Sequence, residues 1–283
     1  MCDSGRMHYH TLEAKRRLTD PMIKSGKSHE VIDWPTAILK ATRGLSKFSG
    51  EEIAIIGSAG MTNEELFLLK TLSSTLNAGI VDVVKVEGEG DEYLSHKDKR
   101  PNTNGAKAIL KLRSPGSKIN TIKKRIKDGE IKALLVYGEN VIKYGIDQET
   151  LKNLKFLVCS HIQANSLAEF SNVILPGSGY AEKRGSMINA TGRLQVLNKA
   201  IEPPGQSRED WEILQDLNRS LDGKDQITEI ADLFSEMANQ VSIIKQKTFS
   251  SIGDLGVNVV ETGETVPLLE REAKRVREGL IVG

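Results

Sequence analysis

Glu182, Asn189, Arg193 and Gln195, with Gly185 and Gly192 among them, carry the chemistry-bearing groups of the stretch 175–195. A carboxylate, a carboxamide and a guanidinium set among glycines suit a loop that must hold one shape. The glycines supply positive φ or close approach, and the polar groups pin the turns. The stretch shows neither helical nor strand period, so it is expected as an ordered loop after the short apolar strand Val173–Leu175. Glu182 and Arg193 are expected to pair across it, with Asn189 bonding backbone.

A second candidate is Gly57-Ser58-Ala59-Gly60, between an apolar strand and a helix opened by the capping box Thr62-x-x-Glu65. That is where α/β folds bind phosphates. It is not a GxGxxG fingerprint, and Asp82 lies within the next strand instead of at its end, so NAD is not expected. Cys2 and Cys159 are the two cysteines. They cannot build a disulfide framework, nor alone supply the four thiolates of an iron–sulfur cluster. Cys159 closes the apolar run Phe156–Cys159 and reads as a small buried hydrophobe. His8 and His10, with Cys2 and Asp3, have the residue types of a transition-metal site. A solvated helix start is the favoured reading there.

These groups need elements to position them. Ile53–Gly57, Ile80–Val86, Ala133–Tyr137, Phe156–Cys159 and Val173–Leu175 read as buried strands. Helices are expected over Thr62–Leu76, Gly105–Leu112, Ile119–Ile126, Gln148–Leu154 and Ser166–Phe170. The alternation predicts an α/β fold: a Rossmann-like, doubly wound, mostly parallel sheet. Ahead of it, residues 1–50 read as an arm with short helices near Tyr9–Leu18 and Pro35–Thr42, the second capped by Asp33. Past Pro203-Pro204-Gly205 the strands are expected to stop. Ser207 is the expected cap of a helix through Trp211, Leu214 and Leu217. Gln226–Asn239 and Glu270–Glu278 follow as helices. The division is thus 1–50, 51–202 and 203–283.

Composition narrows the partners. The chain has 283 residues with a formal net charge of +1, which gives no global reason to expect nucleic acid. No apolar run nears the roughly 20 residues that cross a bilayer, and no signal-peptide pattern opens the chain. A cytoplasmic location is expected, with peripheral attachment at the inner face of the plasma membrane as its variant. The basic run Lys97–Lys127 reads as a solvated face, or one that docks an acidic neighbour.

Several separated blocks agree with one family. Cys2-Asp3-Ser4-Gly5-Arg6, Leu18-Thr19-Asp20-Pro21, Trp34-x-x-Ala37, Gly57-Ser58-Ala59 with Thr62-Asn63-Glu64-Glu65, the loop 175–195, and Pro204-Gly205 with Asp210-Trp211 resemble segments of the molybdopterin oxidoreductase superfamily, in that order. Within it, the chain is most similar to the large peripheral-arm subunit of bacterial NADH:quinone oxidoreductase, complex I. The resemblance implies a structural or accessory subunit that supports iron–sulfur electron transfer without molybdenum chemistry. It makes Gly57, Ser58, Asn63, Glu64, Glu182, Asn189 and Arg193 a remnant of the pterin cleft, with molybdopterin itself not expected and no catalytic residue assigned. Cys2 matches the last cluster cysteine, and the three upstream cysteines of that pattern are absent. A 4Fe–4S cluster could therefore form only if another chain supplied thiolates, and the chain is expected to be a split-off subunit or a truncated product. Other subunits of a complex I-like assembly are the implied partners, with no direct membrane insertion. The alternative is a formate dehydrogenase-like fragment that binds a pterin cofactor.

Overall fold

Ile53-Ala54-Ile55-Ile56 and Ala133-Leu134-Leu135-Val136 are apolar at every position, so each strand needs cover on both faces. In the computed structural model they lie side by side within a seven-stranded sheet. The structure describes residues 8–13, 15–91, 95–224, 227–262 and 275. Its strands are β1 (Met22–Ser25), β2 (Ser28–Val31), β3 (Ile53–Ser58), β4 (Ile80–Val84), β5 (Ala133–Tyr137), β6 (Phe156–His161), β7 (Val173–Pro176), β8 (Gly185–Ile188), β9 (Arg193–Leu197) and β10 (Val257–Asn258). The main helices are α1 (Trp34–Leu45), α2 (Asn63–Thr75), α3 (Thr103–Leu110), α4 (Ile119–Lys127), α5 (Gln148–Leu151), α6 (Asp210–Asp222) and α7 (Ile230–Gln240).

The order across the main sheet is β2-β1-β7-β6-β5-β3-β4. Strands β3 to β7 are parallel, and β1 joins β7 antiparallel. The chain leaves β3 toward β4 on one side and later returns to β5 on the other. The winding direction therefore reverses between β3 and β5, where open α/β sheets place a crevice beyond the strand ends. Alternate strand residues serve two cores. Ile53, Ile55, Leu135, Tyr137 and Val158 face a cluster with Leu45, Leu69, Trp211, Leu214 and Phe234. Ala54, Ile56, Leu134, Val136, Leu157 and Cys159 face Ile119, Ile122 and Ile126 of α4. Asp82 is fully buried. Its carboxylate accepts from the backbone N–H of Val83, Gly116 and Lys118 at 2.7–2.9 Å, which ties the approach to α4 onto β4.

Local signals explain most helix starts. Asp33 Oδ1 accepts from Thr36 N at 2.8 Å and caps α1, as expected. Thr62 and Glu65 form the reciprocal box at α2. Helix α6 departs from expectation: Glu209 is its N-cap residue, and the Ser207 hydroxyl donates to Leu18 O at 2.8 Å. Ser207 serves the incoming N-terminal segment instead of the helix.

Four further expectations need correction. The stretch 175–195 is not a loop throughout: β8 and β9 pair antiparallel, with Met187 opposite Gln195. Strands of four and five residues are too short to show a period. Strands do not stop at Gly205, because β10 completes that small sheet against β9. The N-terminal segment does more than project as an arm, since β1 and β2 extend the main sheet. Among the described residues of Tyr9–Leu18, helix is limited to a single turn at His8–Thr11. Leu18 N donates to Ile162 O, and Ala164 N donates to Arg16 O, so the backbone here is committed to the sheet edge. The expected helix Glu270–Glu278 falls, apart from Arg275, outside the described residues.

Candidate functional site

Ser58 ends β3, and Gly138-Glu139 follows β5, so the winding reversal brings them together. Gly138 has φ +71°, which lets the chain turn off the sheet. The Ser58 hydroxyl donates to Glu139 Oε1 at 2.5 Å, and Gly60 N donates back to Ser58 Oγ at 3.0 Å. Arg100 reaches across from the opposite side: its Nη2 lies 2.5 Å from Glu139 Oε1 and donates to Tyr144 Oη at 3.1 Å. Burial raises the Glu139 carboxyl above its ordinary pKa, against the pull of Arg100 and the Ser58 hydrogen bond.

Next to this crevice a buried polar seam joins α2 to the hairpin β8–β9. Thr62, Asn63, Glu64 and Glu65 are all buried completely. Ser186 donates from N to Glu64 Oε2 and from Oγ to Glu64 Oε1, both at 2.8 Å. Asn63 Nδ2 donates to Ser186 Oγ at 3.0 Å and its Oδ1 accepts from Asn102 Nδ2 at 3.0 Å. Asn102 Oδ1 in turn accepts from Ile188 N at 2.7 Å. Gly185 is required beside this seam: its φ is +149°, and a Cβ there would lie 2.7 Å from Glu64 Oε2. Desolvation pushes the Glu64 carboxyl up to about 7, against the two Ser186 hydrogen bonds.

Lys183 continues the seam. Its Nζ lies 3.0 Å from Glu65 and 3.6 Å from Asp210, and all three residues are buried. Burial pulls the Lys183 ammonium toward neutrality, but the two carboxylates outweigh it and raise its pKa. Burial raises the Glu65 carboxyl, with Lys183 opposing. Asp210 also accepts from Ser178 Oγ at 3.1 Å, so the first turn of α6 is bonded to the loop after β7.

The remaining polar residues singled out in the sequence are placed as follows. Glu182 does not pair with Arg193. It forms a bidentate pair with Arg17 at 2.8 and 2.7 Å and accepts from Gly179 N at 2.6 Å. Arg193 instead donates from Nη1 to Leu255 O at 3.0 Å, which holds the tail beside β9. Asn189 Oδ1 accepts from Thr191 N and Arg193 N at 3.1 and 2.9 Å, closing the β8–β9 turn. Gly57 lies within β3, where a Cβ would be 2.9 Å from Leu69 Cδ2, so α2 packs directly on the strand. The structure thus brings Asn63 and Glu64 together, sets Gly57 and Ser58 at the strand end beside them, and places Glu182 and Arg193 in separate contacts. Cys2 lies outside the described residues. Among the described residues no group of three or more His, Cys, Asp and Glu side chains could hold a metal ion.

Residues 83–220 match the family model described as molybdopterin oxidoreductase. The matched span carries Glu182, Lys183, Asn189, Arg193 and Asp210. Over that span the chain is similar to the molybdopterin oxidoreductase family. Its relatives carry diverse names. It is 36% identical over 113 residues to the F420-dependent formate dehydrogenase subunit alpha of Methanocaldococcus jannaschii, covering 38% of this chain and 17% of that one. It is 41% identical over 83 residues to the mitochondrial NADH-ubiquinone oxidoreductase 78 kDa subunit of Candida albicans, covering 28% of this chain and 12% of that one. With the NADPH-Fe(3+) oxidoreductase subunit alpha of Geobacter sulfurreducens it shares 32% over 135 residues, covering 46% and 15%. The chain spans well under a quarter of the length of these relatives. The solved structure of acetylene hydratase from Pelobacter acetylenicus superposes with a TM-score of 0.63, covering 88% of this chain and 67% of that one. At 8% identity that likeness establishes the fold alone.

The family name implies a pterin cofactor, which is anionic and needs donors free to meet it. Asn63, Glu64 and Glu182 do not fit that demand as direct contacts, because their polar groups are buried and already bonded within the chain. Ser58 and Arg100 have suitable donors, but both end on Glu139. No catalytic step through a pterin is derived from these residues. Sequence reasoning missed Arg17, Arg100, Asn102, Glu139, Ser186 and Asp210 as members of these networks. Asp210, Lys183 and Ser186 stood within family-like blocks. Arg17, Arg100, Asn102 and Glu139 carried no local signal, because their partners lie 39 to 165 residues away.

Proposed function

We propose that this chain is a framework portion of a complex I-like NADH:quinone oxidoreductase, supporting iron–sulfur electron transfer without molybdenum chemistry. The observation that carries the reading is the internal use of the motif side chains: Asn63 and Glu64 hold Ser186, Glu182 holds Arg17, and Arg193 holds the tail. Electron transfer needs its centres at fixed separations, and a buried polar seam bonded within the chain serves rigidity. In this proposal the chain docks other subunits of the assembly, and Cys2 is a 4Fe–4S ligand completed by thiolates of another chain. A cytoplasmic location, with peripheral attachment to the membrane through partners, belongs to the same proposal. No helix among the described residues is long and apolar enough to cross a membrane.

A second reading is a formate dehydrogenase-like subunit that retains a pterin, favoured by formate dehydrogenase names among the relatives. Elemental analysis of the natively purified assembly separates the two. The framework reading expects iron with co-purifying subunits and neither molybdenum nor tungsten. Stoichiometric molybdenum or tungsten, with a fluorescent pterin released on oxidation, would overturn it. Unchanged iron content in a Cys2→Ala variant would sink the ligand assignment.

A further inference from the structure

The winding reversal between β3 and β5 is where this sheet offers a crevice, and that crevice holds a carboxylate of the chain itself. Glu139 is 3% exposed although it follows directly on a strand end. Its Oε1 receives both the Ser58 hydroxyl and the Arg100 guanidinium at 2.5 Å. A hydroxyl from the first strand–helix turn and an arginine fork are the donor types that bind phosphate oxygens. Arg100 Nε is buried without a partner. One carboxylate oxygen leaves that donor over, whereas a phosphate group has further oxygens to offer it. The turn itself is open to close approach, since Gly60 presents no side chain and only Ser58 Oγ and Arg100 lie within 4 Å of where its Cβ would be.

We infer that the β3–β5 crevice is an anion pocket of phosphate or pyrophosphate type, filled from within by the Glu139 carboxylate. Glu139 acts as a built-in anion that takes the Ser58 hydroxyl and the Nη2 arm of Arg100 and closes the crevice to nucleotides. The inference rests on the framework reading, which has no use for an open nucleotide crevice. The two fail separately, because metal analysis reads the cofactor content of the assembly and anion binding reads this pocket alone.

The test titrates inorganic pyrophosphate into the full chain by calorimetry and follows melting temperature with and without it. Wild type is expected to bind weakly or not at all. Glu139→Ala is expected to bind at least about tenfold more tightly, as a charged hydrogen-bonding site is vacated. Adding Arg100→Met to that variant is expected to abolish the gain. Glu139→Gln keeps an acceptor for Ser58 while removing the charge, and it decides the matter should the alanine variant not fold. A folded variant with no gain over wild type, a wild type that binds as tightly as the variants, or a gain that survives Arg100→Met overturns the inference.

Discussion

Glu64 is buried completely and its carboxyl accepts from Ser186 N and Oγ, so protonation decides its contribution to stability. Its folded pKa is about 7 against an ordinary 4.5. Between those values the folded chain holds a proton that the unfolded chain has lost. This group's contribution is therefore most favourable below the lower value and declines as pH rises through the upper one. The decline amounts to at most about 3 kcal/mol. Glu64→Gln keeps the shape and removes the charge. Urea unfolding should show a flatter stability profile from pH 4.5 to 7 for that variant, with stability at pH 8 equal to or above wild type. Superimposable profiles would count against a neutral buried Glu64. The Arg17–Glu182 pair gives the opposite lesson. Both side chains are buried, so removing one charge strands the other. Glu182→Gln or Arg17→Met alone should cost about 3 kcal/mol or more, and the double change to methionine should cost less than the two single effects added. Strict additivity in denaturation would show that the two do not act as a pair. At this scale the sequence announced that Glu182 matters, through its place among glycines. It could not announce Arg17, which is 165 positions away.

Among the elements, α3 is seated by a residue that contributes no side chain. A Cβ on Gly105 would stand 2.1 Å from Asn63 Oδ1 and 2.2 Å from Asn102 Oδ1, and both amides are already bonded. Gly105→Ala should therefore cost about 1–3 kcal/mol as α3 is pushed from α2. Gly129→Ala, at φ +74° with nothing within 4 Å, should cost about 1 kcal/mol from backbone strain alone. Thermal melts of the two variants compare them, and equal losses would remove the packing argument. The elements readable from sequence were those with a long apolar signal or a capping signature: β3, β5, β6, α1 and α2. The missed ones are short and polar. Met22-Ile23-Lys24-Ser25 and Ser28-His29-Glu30-Val31 form a hairpin around Gly26, whose φ is +60°. Only the Ser25-Gly26-Lys27 punctuation hinted at it, because the edge strand β2 has little side-chain burial to impose a pattern. The cap of α6 went astray for a related reason. Ser207 is a good capping residue by type, but its hydroxyl donates to the Leu18 carbonyl and the helix takes its N-cap two residues later, at Glu209.

Taken as one molecule, the chain has a gradient of cover. Strands β3 and β5 are buried at every residue and lie between two apolar clusters, whereas β2 is largely exposed and pairs on one side only. The β1–β2 hairpin closes the sheet beyond β7, but only Met22 and Ile23 of β1 register with β7. Its attachment is helped by the small cluster of Leu18, Ala168, Ile174 and Met22. Local opening should follow this gradient, since an amide exchanges through the least costly opening that exposes it. In native-state hydrogen exchange, the amides of Ile55, Leu135 and Val158 should be the slowest and should exchange only through global unfolding. The amides of β2 and of β10, a two-residue strand, should exchange orders of magnitude faster through local opening. Low concentrations of urea should accelerate the core amides in proportion to the surface that global unfolding exposes, and leave the hairpin amides nearly unaffected. Hairpin amides as slow and as urea-sensitive as those of β5 would mean that the N-terminal segment and the central sheet open as one unit. The proposed framework would then be rigid out to the β1–β2 hairpin, and loss of Arg17–Glu182 would accelerate exchange throughout the sheet instead of only near the N-terminal segment.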